Sequence, residues 1–195
     1  MCLLMILDYY KVIPKINWYD ERQYYKRLKS LYIEGTPLSA VAMVLAQSNL
    51  ETILLHSEKD YFSNKNHYLD DYTYNNLMKE YKMFVDSAKK SGATIKNEAL
   101  INSDKIKEFL DEDYLIILSG TSGISLHAVL VVGYDKETFC ICNPLFKEKQ
   151  HISKKELNEY METPIGKWCI LVKEKQNEKE RNDKKYWNHT TKQLK

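Results

Sequence analysis

Apolar residues recur at helical spacing in the first part of the chain and at strand spacing towards its end. Leu3, Ile6, Leu7 and Tyr10 stand at i, i+3, i+4 and i+7, one stripe of a helix running from Cys2 to Tyr10. No Ser, Thr, Asp or Asn precedes that stripe to cap its first amides, so the chain is expected to open inside a helix. Tyr19 to Tyr32 reads as a second, largely charged helix. Gly35-Thr36-Pro37 then breaks the pattern before Leu38, Val41, Ala42 and Leu45 restore it. Thr36 is the predicted N-cap of that third helix, with Pro37 at its first helical position.

Glu51 to His56 is a short apolar run of strand type, and Tyr61 to Tyr74 a polar stretch without periodicity, read as a loop. Helical spacing resumes from Leu77 to Ser91 and stops at Gly92, where a C′ glycine is expected; Ser103 to Leu110 is a further short helix. Beyond this point the period changes. Tyr114–Ser119, Leu126–Gly133 and Thr138–Cys142 are successive strand candidates rich in Ile, Leu and Val, with Tyr134 to Glu137 short enough for a hairpin turn. A small helix over Ser153 to Met161 and a strand over Trp168 to Val172 complete the pattern. Helices first and strands last predict an α+β domain over residues 1–172, its N-terminal helices packed as one layer on a C-terminal antiparallel sheet. Residues 173–195 are almost all charged or amide and are expected to form a disordered tail.

Composition narrows this picture modestly. At 195 residues and 44% hydrophobic content the chain can bury one sizeable core. The 29 basic and 27 acidic residues are interleaved, so no face is set aside for a phosphate backbone and nucleic acid is not an expected partner. Four cysteines, Cys2, Cys140, Cys142 and Cys169, are few for this length and suit a reducing, cytoplasmic setting, with Cys140 and Cys142 read as small buried hydrophobes. Met1 to Leu7 is too short and lacks the basic flank of a secretory signal, and no run reaches the roughly 18 apolar residues of a membrane span, so a soluble protein is expected.

The chemistry concentrates in Leu126-His127-Ala-Val-Leu-Val-Val-Gly133, followed sixteen residues after the His by Asn143-Pro144. At the start of a strand, His127 sits at the sheet's edge, where a general base can meet solvent and substrate. The hairpin would bring Asn143 back beside it, so that the amide could accept from one ring nitrogen and set the tautomer. Spacing alone also allows a plainer reading, in which His127 is a core-edge histidine and Asn143 a turn residue before Pro144.

The segment Ser119 to Phe146, with His-Ala-Val-Leu-Val-Val-Gly-Tyr-Asp and Cys-Asn-Pro, resembles the His and Asn half of the bacteriocin-leader (double-glycine) peptidases and their papain-like relatives. In that superfamily the other half is a Cys-Gly-x-Ala-Cys-Leu-x-Met-Ile-Leu helix whose first Cys is the nucleophile. Cys2-Leu-Leu-Met-Ile-Leu7 is similar to the part after the Ala, so Cys2 matches the second cysteine. The nucleophile would lie one turn, about four residues, before Cys2. A narrower resemblance, over about residues 2 to 172, is to the guanylyl cyclase domain-containing family, carried in order by the Thr36-Pro37-Leu38 helix start, Lys79 to Lys90, the His127 strand and Asn143-Pro144.

These resemblances imply a papain-like fold with His127 as base and Asn143 as orienter. A Cys2 standing in for the nucleophile is the weaker alternative, since it would point deeper, towards the sheet. The chain as it stands is expected to be silent towards peptides, through a truncated start or a natural loss. Rival readings are a non-enzymatic module that holds a peptide or protein tail, and cyclisation of GTP with a divalent metal, which only the family label implies; no phosphate cradle or spaced aspartate pair speaks for it. Cys140, Cys142 and Cys169 lack the Cys-x-x-Cys spacing of structural zinc sites, His56 and His67 are read as surface residues, and Gly120 to Gly123 as a flexible loop delivering His127.

Overall fold

A computed structural model describes residues 1–175 except 16, 33–34, 58–69, 99, 123–124, 147 and 164–165. In chain order the elements are α1 (Cys2–Tyr9), α2 (Trp18–Leu28), α3 (Leu38–Gln47), β1 (Leu50–His56), α4 (Asp71–Lys90), β2 (Thr94–Asn97), α5 (Ser103–Asp111), β3 (Leu115–Ser122), β4 (Ser125–Tyr134), β5 (Thr138–Cys142), β6 (Gln150–Ser153), α6 (Lys154–Met161) and β7 (Trp168–Glu174). The strands form one seven-stranded mixed sheet in the order β2-β1-β7-β3-β4-β5-β6. The class is α+β, as the pattern predicts.

Two details of the expected architecture are corrected. The sheet is neither confined to the C-terminal half nor wholly antiparallel: β1 lies beside β7, and β2 pairs parallel with β1 after the α4 crossover. The Thr94-Ile-Lys-Asn97 edge strand is mostly exposed and carries no apolar alternation, which is why periodicity misses it. Helices also cover both faces. One core joins α1, α3, α4 and Leu28 of α2 to Leu54, Ile117, Leu130, Ile170 and Val172. The other joins Ile106 of α5 and Leu157 and Met161 of α6 to Ile116, Leu118, Val129, Val131 and Leu171. Because helices lie on both sides, β7 is buried continuously from Trp168 to Val172 and shows no alternation. It continues to Glu174, pairing Glu174 with Leu50, two residues beyond the boundary expected at 172; residues 176–195 lie outside the described residues.

Cap chemistry explains where the helices begin. Asn17, Asp70, Asn102 and Ser153 each accept a backbone N–H from the first turn of α2, α4, α5 and α6, and Ser153 and Glu156 close a reciprocal capping box. The Asp70 cap starts α4 at Asp71, six residues before the predicted Leu77; in its first turn Asp71 and Tyr72 are exposed and Thr73 and Tyr74 only half-buried, so no apolar stripe marks it. The predicted loop over 61–74 is therefore helical from Asp71, and its residues 61–69 lie outside the described residues. Thr36 is not the cap of α3. Pro37 has extended backbone (φ −59°, ψ 138°) and its carbonyl accepts from Ala40 and Val41, so Pro37 is itself the cap residue and brings no side-chain acceptor. No helix among the described residues is long and apolar enough to cross a membrane.

Candidate functional site

Strand β4 carries His127 near its start, and β5 ends at Cys142, paired with Leu130, so the chain leaving β5 turns back over the His127 end of the sheet. There Asn143 Oδ1 lies 2.8 Å from His127 Nε2. An amide oxygen can only accept, so Nε2 carries the proton, and in the neutral ring Nδ1 is left as the acceptor. The same Oδ1 accepts from Leu145 N at 3.1 Å, and Phe146 N donates to Asn143 O at 3.0 Å. This Asx turn fixes the Asn143 side chain from its own main chain, independently of the histidine. The two residues singled out from the sequence are thus brought together, both half-buried.

Two further residues hold the histidine in place. Tyr160, on α6, donates its hydroxyl to His127 O at 2.8 Å. Gly120 is the register partner of His127, and a Cβ there would fall 2.2 Å from the Tyr160 ring and 2.4 Å from Tyr160 O. Only a glycine lets the end of α6 cross the strand this closely. Gly120 to Ser122 accordingly belong to β3 and not to a loop, with Gly123 outside the described residues. A glycine inside an apolar strand run is the signal that could have found this crossing, whereas nothing in the sequence marks Tyr160.

Cys2 is the first residue of α1 and only 6% exposed. Its thiol donates to Ala128 O at 3.3 Å, and burial pushes its pKa up from 9.0 to about 11. Burial also raises Tyr160, which stays a neutral donor. Cys2 and His127 both line a cavity of about 750 Å³, open between α1, α2, the start of α3 and the ends of β3 and β4. Trp18, Tyr25 and Leu126 wall it and are themselves more than half exposed. Its acidic and basic side chains among the described residues are Glu21 and Arg22, with Arg22 over the Trp18 ring at 5.2 Å.

Among the described residues, the remaining histidines and cysteines do not line this cavity. His56 is not a surface residue: it is 9% exposed, pairs with Trp168 across the strands and stacks on its ring at 4.7 Å. His67 lies outside the described residues. Cys140 and Cys142 are half-buried, not fully so, because β5 buries Phe139 and Ile141 instead; Cys169 is fully buried, its pKa pushed up to about 12 by burial. No group of three His, Cys, Asp or Glu side chains among the described residues could hold a metal ion. The carboxylate side chain lining this cavity among the described residues is Glu21. Compared with models of protein families, with curated proteins and with solved structures, the chain has no match.

Proposed function

We propose that this chain is a papain-like domain of the guanylyl cyclase domain-containing type, whose cleft holds an extended peptide or protein tail against the His127–Asn143 pair. The observation that carries the proposal is the 2.8 Å contact from His127 Nε2 to Asn143 Oδ1, with His127 lining a largely apolar cavity. A ring anchored through Nε2 offers Nδ1 as a base, the orientation in which a Cys-His-Asn site draws the proton from its thiol.

The second half of such a site is a thiol that ionises readily. Cys2 does not meet that need. Its pKa is about 11, its Sγ donates to a main-chain carbonyl, and its side chain is buried against β4. Cys2 is therefore not the thiol that His127 would activate, and the largely apolar walls offer a binding surface.

Labelling with iodoacetamide at neutral pH tests the reading. In the chain as given, Cys2 should label slowly and at the same rate in His127→Ala. A variant in which Met1→Ala is preceded by Cys-Gly-Ser should gain a fast-labelling thiol at the new Cys, slowed about tenfold or more by His127→Ala, in keeping with thiolate-controlled reactivity. A new thiol no more reactive than that of a free peptide, and indifferent to His127, would remove the papain-like reading.

A further inference from the structure

We propose that Glu80 is a positioning residue of this cleft, setting the wall between α2 and α3 from a buried site on α4. The inference rests on reading the cavity as the functional cleft. Glu80 is 8% exposed, and each of its oxygens has a separate donor on the α2–α3 connection: Oε2 accepts from Ser30 Oγ at 2.5 Å and Oε1 from Leu31 N at 2.8 Å. Ser30 Oγ in turn accepts from Tyr32 N at 3.1 Å, and Ser30 N donates to Gly35 O at 2.9 Å. A connection between two helices is thus tied to a third, some fifty residues on.

The placement matters because the tied segment leads into the cavity. Leu28 before it and Gly35, Thr36 and Pro37 after it all line the cleft that holds Cys2 and His127. Gly35 takes φ +112°, a conformation that side chains avoid, so the chain turns there into Thr36 and Pro37 at a fixed angle. Packing alone would be better served by an apolar residue in this core, since a carboxylate costs free energy to bury. Its two directed hydrogen bonds, which an apolar side chain lacks, are what register the wall against α4.

Cys2 reports on the wall and Cys169 controls for it. Both thiols are buried, but Cys2 lines the cleft whereas Cys169 lies on the interior strand β7 with its side chain in the opposite core. The full chain is treated with N-ethylmaleimide, and the labelling rate of each cysteine is followed by peptide mass spectrometry. Glu80→Ala should speed Cys2 about tenfold or more, the loss of hydrogen bonds to a charged acceptor appearing as easier local opening, and leave Cys169 within about twofold. Glu80→Gln keeps an oxygen for Leu31 N and an amide for the Ser30 hydroxyl, and should return Cys2 close to the parent rate. Should Glu80→Ala fail to fold, Ser30→Ala decides, with a smaller acceleration confined to Cys2. Cys2 and Cys169 accelerating together, or no change in Cys2, would overturn the proposal, and neither result touches the His127-dependent labelling by which the papain-like reading is judged.

Discussion

His127 and Asn143 form a useful pair only because each is already constrained by its own neighbours. The Asn143 amide is held by Leu145 N, and the His127 main chain by Tyr160 and by its pairing with Gly120. Removing the amide should therefore release the ring without moving the strand. Nitrogen-15 NMR of the imidazole is expected to show the Nε2–H tautomer in the parent chain and a mixture of tautomers in Asn143→Ala. An unchanged pattern in the variant would mean that some other group sets the tautomer. The pairing of His127 with Asn143 was legible in advance, because a hairpin returns residues on its two strands to one another. Tyr160 was not, because its partner is a main-chain oxygen thirty-three residues away and backbone atoms leave no trace in sequence.

Among the elements, the one N-cap expected from sequence, Thr36, was misread, whereas the observed side-chain caps Asn17, Asp70, Asn102 and Ser153 are short polar residues at the helix starts. Ser153 with Glu156 is the full reciprocal arrangement, at the start of the helix that delivers Tyr160 to His127. Ser153→Ala should lower stability by about 1 kcal/mol, the usual worth of an N-cap hydroxyl, measured as a shift in urea midpoint with unchanged slope. A shift within error would mean that packing of Leu157 and Met161 alone defines α6. Thr36 shows the opposite case. A Thr before a Pro looks like a cap in sequence, but ψ 138° at Pro37 carries the extended cap geometry one residue further on. Strand β2 escaped notice for a related reason: an exposed edge strand needs backbone partners, not an apolar face.

Over the whole molecule, burial of thiols makes stability sensitive to alkali. The folded chain keeps Cys2 neutral up to about 11, whereas the unfolded chain ionises it near 9.0. The stabilisation is thus fully present below pH 9 and is lost as pH rises from 9 towards 11, on the order of 2 kcal/mol for this one group. Cys169 acts in the same direction over a wider window, up to about 12. The urea midpoint should therefore fall steadily above pH 9, and less steeply in Cys2→Ala; an identical slope in the two would show that Cys2 ionises alike folded and unfolded. The sequence by itself determined the helices, the strands β1, β3, β4, β5 and β7, the α+β class and the His127–Asn143 pair, since periodicity, turns and hairpin return are local properties, whereas the edge strands β2 and β6 carry no such pattern. Only the tertiary structure decided that β1 and β2 join the same sheet, that helices cover both faces, that His56 is buried against Trp168, and that Glu80 reaches the α2–α3 connection. Each of these depends on contacts between segments far apart along the chain, and the free energy that selects them comes from burial, which no local pattern encodes.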